Sequence, residues 1–291
     1  MTAFRKMHGL GNDFVVFDAR AGGLLLDNAL ARKVADRRLG IGCDQVIVIA
    51  RGRGEADAAM RIFNADGDEV EACGNATRCV ARLLLEETDA PVVRIDTPGG
   101  LLVCRDAGGD MITVDMGKPR LDWREIPLAR AVDTKSFAFD VPGAPASSRH
   151  AKMAAVPVQA AAVSMGNPHC VLFVEDAETA PVADWGPVIE HDVLFPARTN
   201  VEFVQVLSPE RVRMRVWERG AGITRACGTG ACAAAVAAHR RGLTSRQTDV
   251  VLDGGKLHIA WRASDDHVLM TGSASLAFTG DIDLGALEHA T

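Results

Sequence analysis

The sequence predicts an α+β fold of two pseudo-symmetric domains, each a mainly antiparallel β-sheet wrapped around a central buried helix. Two observations support this prediction. An internal repeat relates the two halves of the 291-residue chain. Each half also contains alternating apolar segments of strand type on both sides of one apolar helical segment. A fold built from two related sheets, each covering one helix, accounts for both observations.

The internal repeat is clearest around two Cys-Gly steps. Residues 61–74, RIFNADGDEVEACG, align with residues 215–228, RVWERGAGITRACG, at an offset of 154, which places Cys73 on Cys227. Because one offset, within a single residue, relates several separate segments, we interpret it as a duplication. The other matched pairs are Asn12 with Asn167, Gln45 with Asn200, Asn64 with Glu218, Arg61 with Arg215, and Gly99–Gly100 with Gly254–Gly255.

The secondary-structure elements follow in the same order in both halves. After each Cys-Gly step, residues 76–87 and 231–241 are apolar nearly all round, which predicts a buried helix enclosed by sheet. Gly242 is expected to end the second helix, whose last turn carries Arg240 and Arg241. Strands are predicted by apolar alternation at 14–19, 45–50, 91–105, 170–176, 200–206 and 249–262.

The repeat also sets the expected domain bounds. We predict a first domain over 1–118, to which 278–291 is an optional addition, and a second over 119–277. Each domain then contains one of the two repeated cysteines. The linker is expected near 117–122, and PGAPASSRHA (142–151) is expected to form a loop within the second domain.

Composition and charge exclude several classes of function. Hydrophobic residues make up 48% and charged residues 24%, as in ordinary globular proteins. The net charge is -6 and basic residues form only short pairs, so nucleic acid and anionic membrane are poor candidate partners. No apolar run reaches the roughly 18 to 20 residues of a membrane span, and the first dozen residues lack a signal core. We expect a cytoplasmic protein.

The cysteines are expected to be thiols. Their odd number, seven, and the absence of CxxC spacing argue against a disulfide framework or a zinc knuckle. His169 lies next to Cys170, but no third residue has convincing metal-ligand spacing, so no metal is predicted. The cysteines expected to be inert residues of the core are Cys43, Cys79, Cys104, Cys170 and Cys232.

Cys73 and Cys227 are the candidate catalytic groups. Each is predicted beside the first turn of a helix, where unpaired N–H groups and the helix dipole are expected to lower the pKa of a thiol. If the two domains face each other, the two thiols reach one ligand from opposite sides. Inversion of an α-carbon without redox chemistry needs this arrangement, because one group removes the proton while another delivers a proton to the opposite face.

The developing carbanion would be stabilised by backbone N–H groups at the two helix starts. These groups belong to Gly74, Asn75, Gly228 and Thr229. None of the six lysines recurs at matching places in the two halves, so a pyridoxal Schiff base is not suggested. The residues therefore predict a reaction without a cofactor.

Several motifs resemble the diaminopimelate epimerase family over nearly the whole chain. The most specific is ERGAGITRACGTGACA at 218–233. The resemblance implies the fold predicted above and a reaction independent of pyridoxal phosphate and metal. The implied reaction interconverts LL- and meso-diaminopimelate in the synthesis of lysine and peptidoglycan precursors. The other similar segments are KMHGLGNDF (6–14), GCDQ (42–45), NADGDEVEACGNATRC (64–79), SMGNPHC (164–170) and TNVEF (199–203).

The resemblance also assigns roles to individual residues. It implies that Cys73 and Cys227 are the acid and base, and that His169 and Glu218 help to set thiol ionisation. Arg219 suits the distal carboxylate of the substrate because its planar guanidinium can bind in bidentate fashion. The residues implied to bind the ammonium and carboxylate groups are Asn12, Gln45, Asn64, Asn167, Asn200 and Arg219.

Two departures and several alternatives remain. Ile223 and Ala76 stand where the family often has Glu and Gly, but neither removes a group assigned to proton transfer. A racemase of proline or hydroxyproline type would also use paired cysteines, although a cyclic substrate with one carboxylate would not call for Arg219. A thiol redox protein, in which the two cysteines form a disulfide, is the alternative from another class. The expected partner is a small-molecule amino-acid substrate, and a homodimer is possible.

Overall fold

The structure is a computed structural model that describes residues 1–70, 74–142 and 155–289. Its strands are β1 (Thr2–Gly9), β2 (Asn12–Asp18), β3 (Gln45–Arg51), β4 (Ala58–Asn64), β5 (Glu69–Val70), β6 (Val92–Thr97), β7 (Gly100–Asp106), β8 (Met111–Asp115), β9 (Phe137–Pro142), β10 (Ala155–Ser164), β11 (Pro168–Phe173), β12 (Asn200–Ser208), β13 (Arg211–Glu218), β14 (Gly222–Ile223), β15 (Gln247–Leu252), β16 (Gly255–Trp261), β17 (Val268–Ser273) and β18 (Ser275–Ile282). Its helices are α1 (Asn28–Ala35), α2 (Gly74–Thr88), α3 (Val182–Glu190), α4 (Gly228–Arg240) and α5 (Leu284–His289).

The chain divides into two compact units. Unit 1 comprises Met1–Asp115 and Thr271–Thr291, and unit 2 comprises Met116–Met270. Both are dominated by mixed sheet with few helices. Most of the predicted loop at 142–151 lies outside the described residues.

In unit 1, β1 lies between β2 and β18 and pairs antiparallel with both. β2 pairs parallel with β3, β3 pairs antiparallel with β4, and β4 pairs parallel with β6. β6, β7 and β8 then follow as an antiparallel series. The two parallel pairs occur where a helix separates the strands in sequence, α1 in the first case and α2 in the second, because parallel strands need a long crossover.

Unit 2 repeats this order of pairings. β9, β10 and β11 are antiparallel neighbours, and β11 pairs parallel with β12 across α3. β12 pairs antiparallel with β13, β13 pairs parallel with β15 across α4, and β15 pairs antiparallel with β16. Most pairs in each unit are antiparallel, as expected. The two parallel pairs in each unit were not predicted, because apolar alternation indicates a strand but not the direction of its neighbour.

Helix α4 is buried all round, as its composition predicts. Its residues from Ala231 to Ala238 are buried, since alanine side chains let the surrounding strands approach closely. Gly242 has a left-handed φ of 73°, and its N–H bonds to the carbonyl of His239 at 2.8 Å. The predicted C-terminal stop is therefore confirmed.

Helix α2 differs from the prediction in one respect. Its first two turns are buried, but they include Arg78, which is fully buried. The Arg78 guanidinium donates to the carbonyls of Ser273 and Gly74 and to the side chain of Asn75. A charged side chain is tolerated there because backbone and side-chain oxygens of the same unit accept its N–H groups.

Helices α1, α3 and α5 were not predicted. They are short, and α3 contains Pro187, so none gives a long periodic apolar signal. α1 begins after Asp27, whose side chain accepts from the N–H of Leu30 at 2.8 Å. Within the described residues, no helix combines the length and the apolar character that crossing a membrane requires.

Gly186 in α3 provides a test of packing next to the candidate site. A Cβ at this position would lie 2.5 Å from Cγ of Trp217, the residue before Glu218. We expect Gly186→Ala to lower the free energy of unfolding by about 1 to 3 kcal/mol through overpacking. Urea unfolding measures this loss. Gly285→Ala is the matched control, because its nearest neighbour is a side-chain oxygen 3.4 Å away, and an equal loss in both variants would contradict the packing argument.

Candidate active site

Cys227 is positioned by the connection from β13 to α4. The residue has extended backbone dihedrals and forms the N-cap of α4, where its sulfur accepts from the N–H of Gly230 at 3.4 Å. The Thr229 hydroxyl lies 3.7 Å from the sulfur. Only 4% of the residue is exposed. The predicted location of this thiol at a helix start is confirmed.

The ionisation of Cys227 differs from the expectation. Burial is the largest effect, and it raises the pKa of the thiol well above its ordinary value. The negative charges of Glu218 and Glu202 act in the same direction. Hydrogen bonds from Gly230 and Thr229 oppose this increase without cancelling it. The expected lowering of the pKa by the helix start is therefore wrong for this structure, because the loss of solvent outweighs it.

Glu218 lies at the end of β13, beside the thiol. β14 folds back on β13 so that Glu218 pairs with Gly222, and the Thr224 hydroxyl donates to the Glu218 carboxylate. Burial of this carboxyl group raises its pKa, although hydrogen bonds from Thr224 and Cys227 and the charge of His169 lower it. Glu218 therefore accepts from the thiol and also increases the cost of ionising it.

His169 is held between two oxygen atoms. Its Nδ1 lies 2.6 Å from Oε1 of Glu202, and its Nε2 lies 2.9 Å from Oδ1 of Asn167. Asn167 in turn donates to the Thr229 hydroxyl at 3.3 Å. Neither His169 nor Glu202 is exposed to solvent.

Glu202 was missed as a site residue. The segment TNVEF contains it two residues after Asn200, a spacing that places both side chains on one face of β12. A charged residue within an otherwise apolar strand was the available signal. Its counterpart in the first half, at an offset of 155, is the apolar Ile47, so the repeat did not indicate it.

Asn200 and Arg219 are joined through the backbone. The side-chain oxygen Oδ1 of Asn200 accepts from the backbone N–H of Arg219 at 2.9 Å, and the side-chain Nδ2 of Asn200 donates to the backbone carbonyl of Pro168 at 3.0 Å. The Arg219 side chain donates to the carbonyl of Ala197 at 3.0 Å. Asn200 thus connects the start of β11 to the turn after β13, and its role in substrate binding stays a prediction.

Four predicted polar residues form two pairs in unit 1. Gln45 donates to Asn64 at 2.9 Å across the β3–β4 pair, and Oε1 of Gln45 is buried with no hydrogen-bond partner among the described residues. Asn75, in the first turn of α2, donates to Asn12 at 3.2 Å. The structure therefore brings these amides together pairwise within the unit. Cys73 lies outside the described residues, and Gly74 begins α2.

A charged network supports the amides of unit 1, and the sequence did not indicate it. Asp44 accepts from the amide of Asn12 at 3.0 Å, and Arg37 bonds to both Asp44 and Asp13 at 2.7 Å. Lys6, which is buried, lies 2.6 Å from Asp13. The network fixes the two loops that carry Asn12 and Gln45.

The remaining described cysteines are buried free thiols, as predicted. Burial raises the pKa of Cys43 and of Cys104 to about 12, and that of Cys170 well above its ordinary value. Among the described residues, no group of His, Cys, Asp and Glu side chains is arranged to hold a metal ion. Of the two departures from the family pattern, Ile223 in β14 is 46% exposed, and Ala76 is buried in the first turn of α2.

Asp13 gives a prediction with a defined dependence on pH. Burial would raise its pKa, but hydrogen bonds from Arg37 and Lys6 outweigh burial and hold the pKa well below its usual range. A carboxyl whose folded-state pKa is lowered stabilises the protein above its unfolded pKa of about 3.9, and this stabilisation is lost as the pH falls. We expect Asp13→Asn to destabilise the protein by about 2 kcal/mol or more at pH 7, by the loss of hydrogen bonds to charged groups.

Urea unfolding measured from pH 7 down to pH 3 tests this expectation. The difference between Asp13→Asn and the unaltered protein should shrink as the pH falls below about 4. Asp281→Asn is the control, since Asp281 is an exposed aspartate of β18. A destabilisation that stays constant over this pH range would show that the charge of Asp13 is not its source.

Comparison with known proteins agrees with the resemblance seen in the motifs. The family model for diaminopimelate epimerase matches residues 4–121 and 161–277. A diaminopimelate epimerase of Rhodospirillum centenum is 54% identical over 281 residues, which cover 96% of this chain and 91% of that protein.

Solved structures share the fold at low identity. A protein of Pseudomonas aeruginosa described as a predicted epimerase has a TM-score of 0.68 and 17% identity, with 97% of this chain and 99% of that chain covered. A hydroxyproline epimerase of Agrobacterium vitis, solved with bound trans-4-hydroxy-L-proline, has a TM-score of 0.62 and 17% identity over 97% of this chain and 90% of that chain. The structural likeness establishes the fold, and the sequence matches establish the family: the chain belongs to the diaminopimelate epimerase family.

Proposed function

We propose that this member of the family interconverts LL- and meso-diaminopimelate at the α-carbon by transferring protons between substrate and two cysteines, without pyridoxal phosphate. The reaction belongs to the synthesis of lysine and peptidoglycan precursors. The observation that supports it best is the environment of Cys227, a buried thiol at the start of α4 with the carboxylate of Glu218 and the imidazole of His169 in the same cluster.

The proposed mechanism needs one thiol and one thiolate. Cys73 and Cys227 act on opposite faces of the α-carbon, and their roles reverse with the direction of reaction. Because the pKa of Cys227 is raised, this residue is protonated at neutral pH and starts as the acid. The complementary role of base then falls to Cys73.

The carbanion would be stabilised by the helix starts. The first N–H groups of a helix have no partner within the helix, and a substrate carboxylate placed there would accept from them. Gly228 and Thr229 supply such groups in α4, and Gly74 and Asn75 supply them in α2. Backbone donors held by secondary structure need no reorganisation as charge develops on the carboxylate.

The polar residues of both units are proposed to bind the substrate's two ammonium and two carboxylate groups. In unit 1 the proposed ligands are amide side chains, and in unit 2 they include the guanidinium of Arg219, which has N–H groups beyond its bond to Ala197. We assign Arg219 to the distal carboxylate. The complete proposed set is Asn12, Gln45, Asn64, Asn75, Asn167, Asn200 and Arg219, with the backbone of Gly74, Gly228 and Thr229.

We further propose that the two halves are pseudo-symmetric domains, 1–118 with the optional addition of 278–291, and 119–277. The shared order of strand pairings supports this proposal. Equivalent registers support it as well, since Phe14 pairs with Gln45 in the first half and His169 pairs with Asn200 in the second.

Location and assembly are also proposed. A cytoplasmic location suits two catalytic cysteines, since a reducing compartment keeps both as thiols. A homodimer is supported by Leu276 and Phe278, two apolar side chains of β18 that are 49% and 51% exposed. Sedimentation of the purified protein would test the assembly.

Incubation with LL-diaminopimelate in deuterated water tests the activity. We expect meso product with deuterium at the inverted carbon, and a loss of about 100-fold or more in turnover for Cys73→Ser or Cys227→Ser, because each removes an acid or base. Cys232→Ala, a substitution in the core of α4, is the control and should retain turnover. Absence of meso product, inversion of proline instead, or turnover that requires a disulfide would overturn the proposal.

Arg219 provides a test of substrate recognition. We expect Arg219→Gln to raise KM for diaminopimelate about 10- to 100-fold with a smaller change in kcat, because a charge-assisted hydrogen bond to the distal carboxylate is lost. Arg211→Gln, an exposed arginine at the other end of β13, controls for the change in net charge. Steady-state kinetics of both variants decide the assignment, and an unchanged KM for Arg219→Gln would exclude it.

A further inference from the structure

The buried pair of Glu202 and His169 is not required by the fold. At the matching positions of the first half, at an offset of 155, stand Ile47 and Phe14, both fully buried. The flanking strands have the same parallel pairing, β2 with β3 and β11 with β12. An apolar pair therefore fills this place in unit 1, whereas unit 2 buries two ionisable groups in it. Because a buried pair of ionisable groups is often less stable than an apolar replacement, the pair in unit 2 calls for a functional explanation.

The carboxylate of Glu202 also reaches the start of α4. A Cβ at Gly230 would lie 2.8 Å from Oε1 of Glu202 and 3.2 Å from the sulfur of Cys227, so a side chain here would displace one of them. Oε2 of Glu202 is buried and has no partner among the described residues. A buried unsatisfied oxygen is rare and costly. Its retention beside the thiol is a second sign that the charge serves the site.

The hydrogen bonds from Glu202 to Cys227 run in one direction. The side-chain carbonyl oxygen of Asn167 can only accept, so Nε2 of His169 donates to it, while Nδ1 of His169 shares a hydrogen with the carboxyl group of Glu202. The Asn167 amide then donates to the Thr229 hydroxyl. Because that bond occupies an acceptor position of the hydroxyl, its hydrogen is free to point to the sulfur of Cys227, 3.7 Å away.

We propose that Glu202 is a positioning residue that sets the direction of this hydrogen-bond chain, so that the chain ends in a donor to the sulfur of Cys227. The inference rests on the proposed function, in which Cys227 must become a thiolate in each catalytic cycle. A donor at the sulfur favours that thiolate. Glu202 acts through His169, Asn167 and Thr229 and does not contact the substrate.

Replacement of the Glu202 carboxylate by the amide of glutamine reverses the hydrogen-bond chain. With the amide oxygen at the position of Oε1, a neutral imidazole keeps its hydrogen on Nδ1, so Nε2 becomes an acceptor. Asn167 then turns its amide nitrogen to His169 and its carbonyl to Thr229, whose hydroxyl donates to Asn167 instead of to the sulfur. The other ionisable groups of the described residues that interact with this cluster include Glu218 on β13, Cys227 at α4 and Cys170 on β11, and none of these three replaces the lost donor.

The chain and the direct effect of charge predict opposite results. Glu202 is a negative charge near Cys227, so on direct electrostatics alone its removal would favour the thiolate. If the hydrogen-bond chain has the larger effect on Cys227, removal of the charge on Glu202 disfavours the thiolate because the Thr229 donor is lost. The sign of the change therefore distinguishes a positioning role from a simple nearby charge.

Alkylation of Cys227 by iodoacetamide, measured on its own peptide by mass spectrometry from pH 6 to 10, reads this sign without substrate. We expect Glu202→Gln to slow alkylation about tenfold at each pH of this range, the value of one hydrogen bond to a charged group. Glu210→Gln, in the exposed turn between β12 and β13, is the control and should leave the profile unchanged. Faster alkylation or an unchanged profile in Glu202→Gln would overturn the proposal.

Two further variants distinguish an effect of the hydrogen-bond chain from a purely structural role of Glu202. Thr229→Val should slow alkylation to the same extent, and Glu202→Gln should add no further slowing in the Thr229→Val background, whereas independent effects would add. The double variant His169→Phe with Glu202→Ile copies the apolar pair of unit 1, so it should fold even if Glu202→Gln does not. It should show the same slow alkylation, and a normal rate would overturn the proposal. Because no measurement uses diaminopimelate, failure here is distinct from failure of the proposed function.

Discussion

The buried contact between Glu202 and His169 is the interaction on which the site of unit 2 depends. It exists only because β11 and β12 run parallel, with His169 in register with Asn200, which places the glutamate two residues further along β12. It also needs glycine at position 230, since a side chain there would displace the Glu202 carboxylate or the sulfur. Strand direction, register and helix start are thus constrained together by one buried contact, whose polar groups would be costly to bury with either partner missing.

The amides of unit 1 that are proposed as substrate ligands have a different setting from the groups around Cys227. They bond to each other in pairs, Gln45 to Asn64 and Asn75 to Asn12, and Asn12 also donates to the carboxylate of Asp44. A neutral hydrogen bond contributes about 1 kcal/mol, so the proposed binding of an ammonium or carboxylate group would displace such a bond at little cost. The charged contacts of unit 2 are more expensive to rearrange and are better suited to hold a fixed field around a reacting group.

Patterns that repeat along the chain predicted much of this structure. The offset of the repeat and the apolar alternation gave the strands around Gln45 and Asn200, the two buried helices, and the position of Cys227 at a helix start. The parallel pairs and the three short helices were missed, since they depend on contacts between distant segments or leave too short a periodic signal.

The prediction of a lowered pKa for Cys227 was wrong for a related reason. A helix start is visible in the sequence as a local feature, whereas solvent exclusion and the proximity of Glu202 arise only when separate strands are assembled. Glu202 itself was hidden because the repeat emphasises positions that are polar in both halves, and its partner position is Ile47. Residues that distinguish the two halves are therefore the ones least accessible to this kind of sequence reasoning.

That difference between the halves bears directly on two-base chemistry. A fully symmetric pair of thiols would have equal tendencies to ionise, so no intrinsic preference would decide which is the acid before substrate binds. Here the second half has Glu218 where the first has Asn64, and His169 with Glu202 where the first has Phe14 with Ile47. Two carboxylates beside Cys227 favour its protonated form. In the proposed mechanism, the hydrogen-bond chain that ends on the same sulfur lowers the cost of ionising this thiol. Unequal substitution at matched positions of the repeat is therefore the sequence feature that would give the two proposed catalytic thiols different resting states.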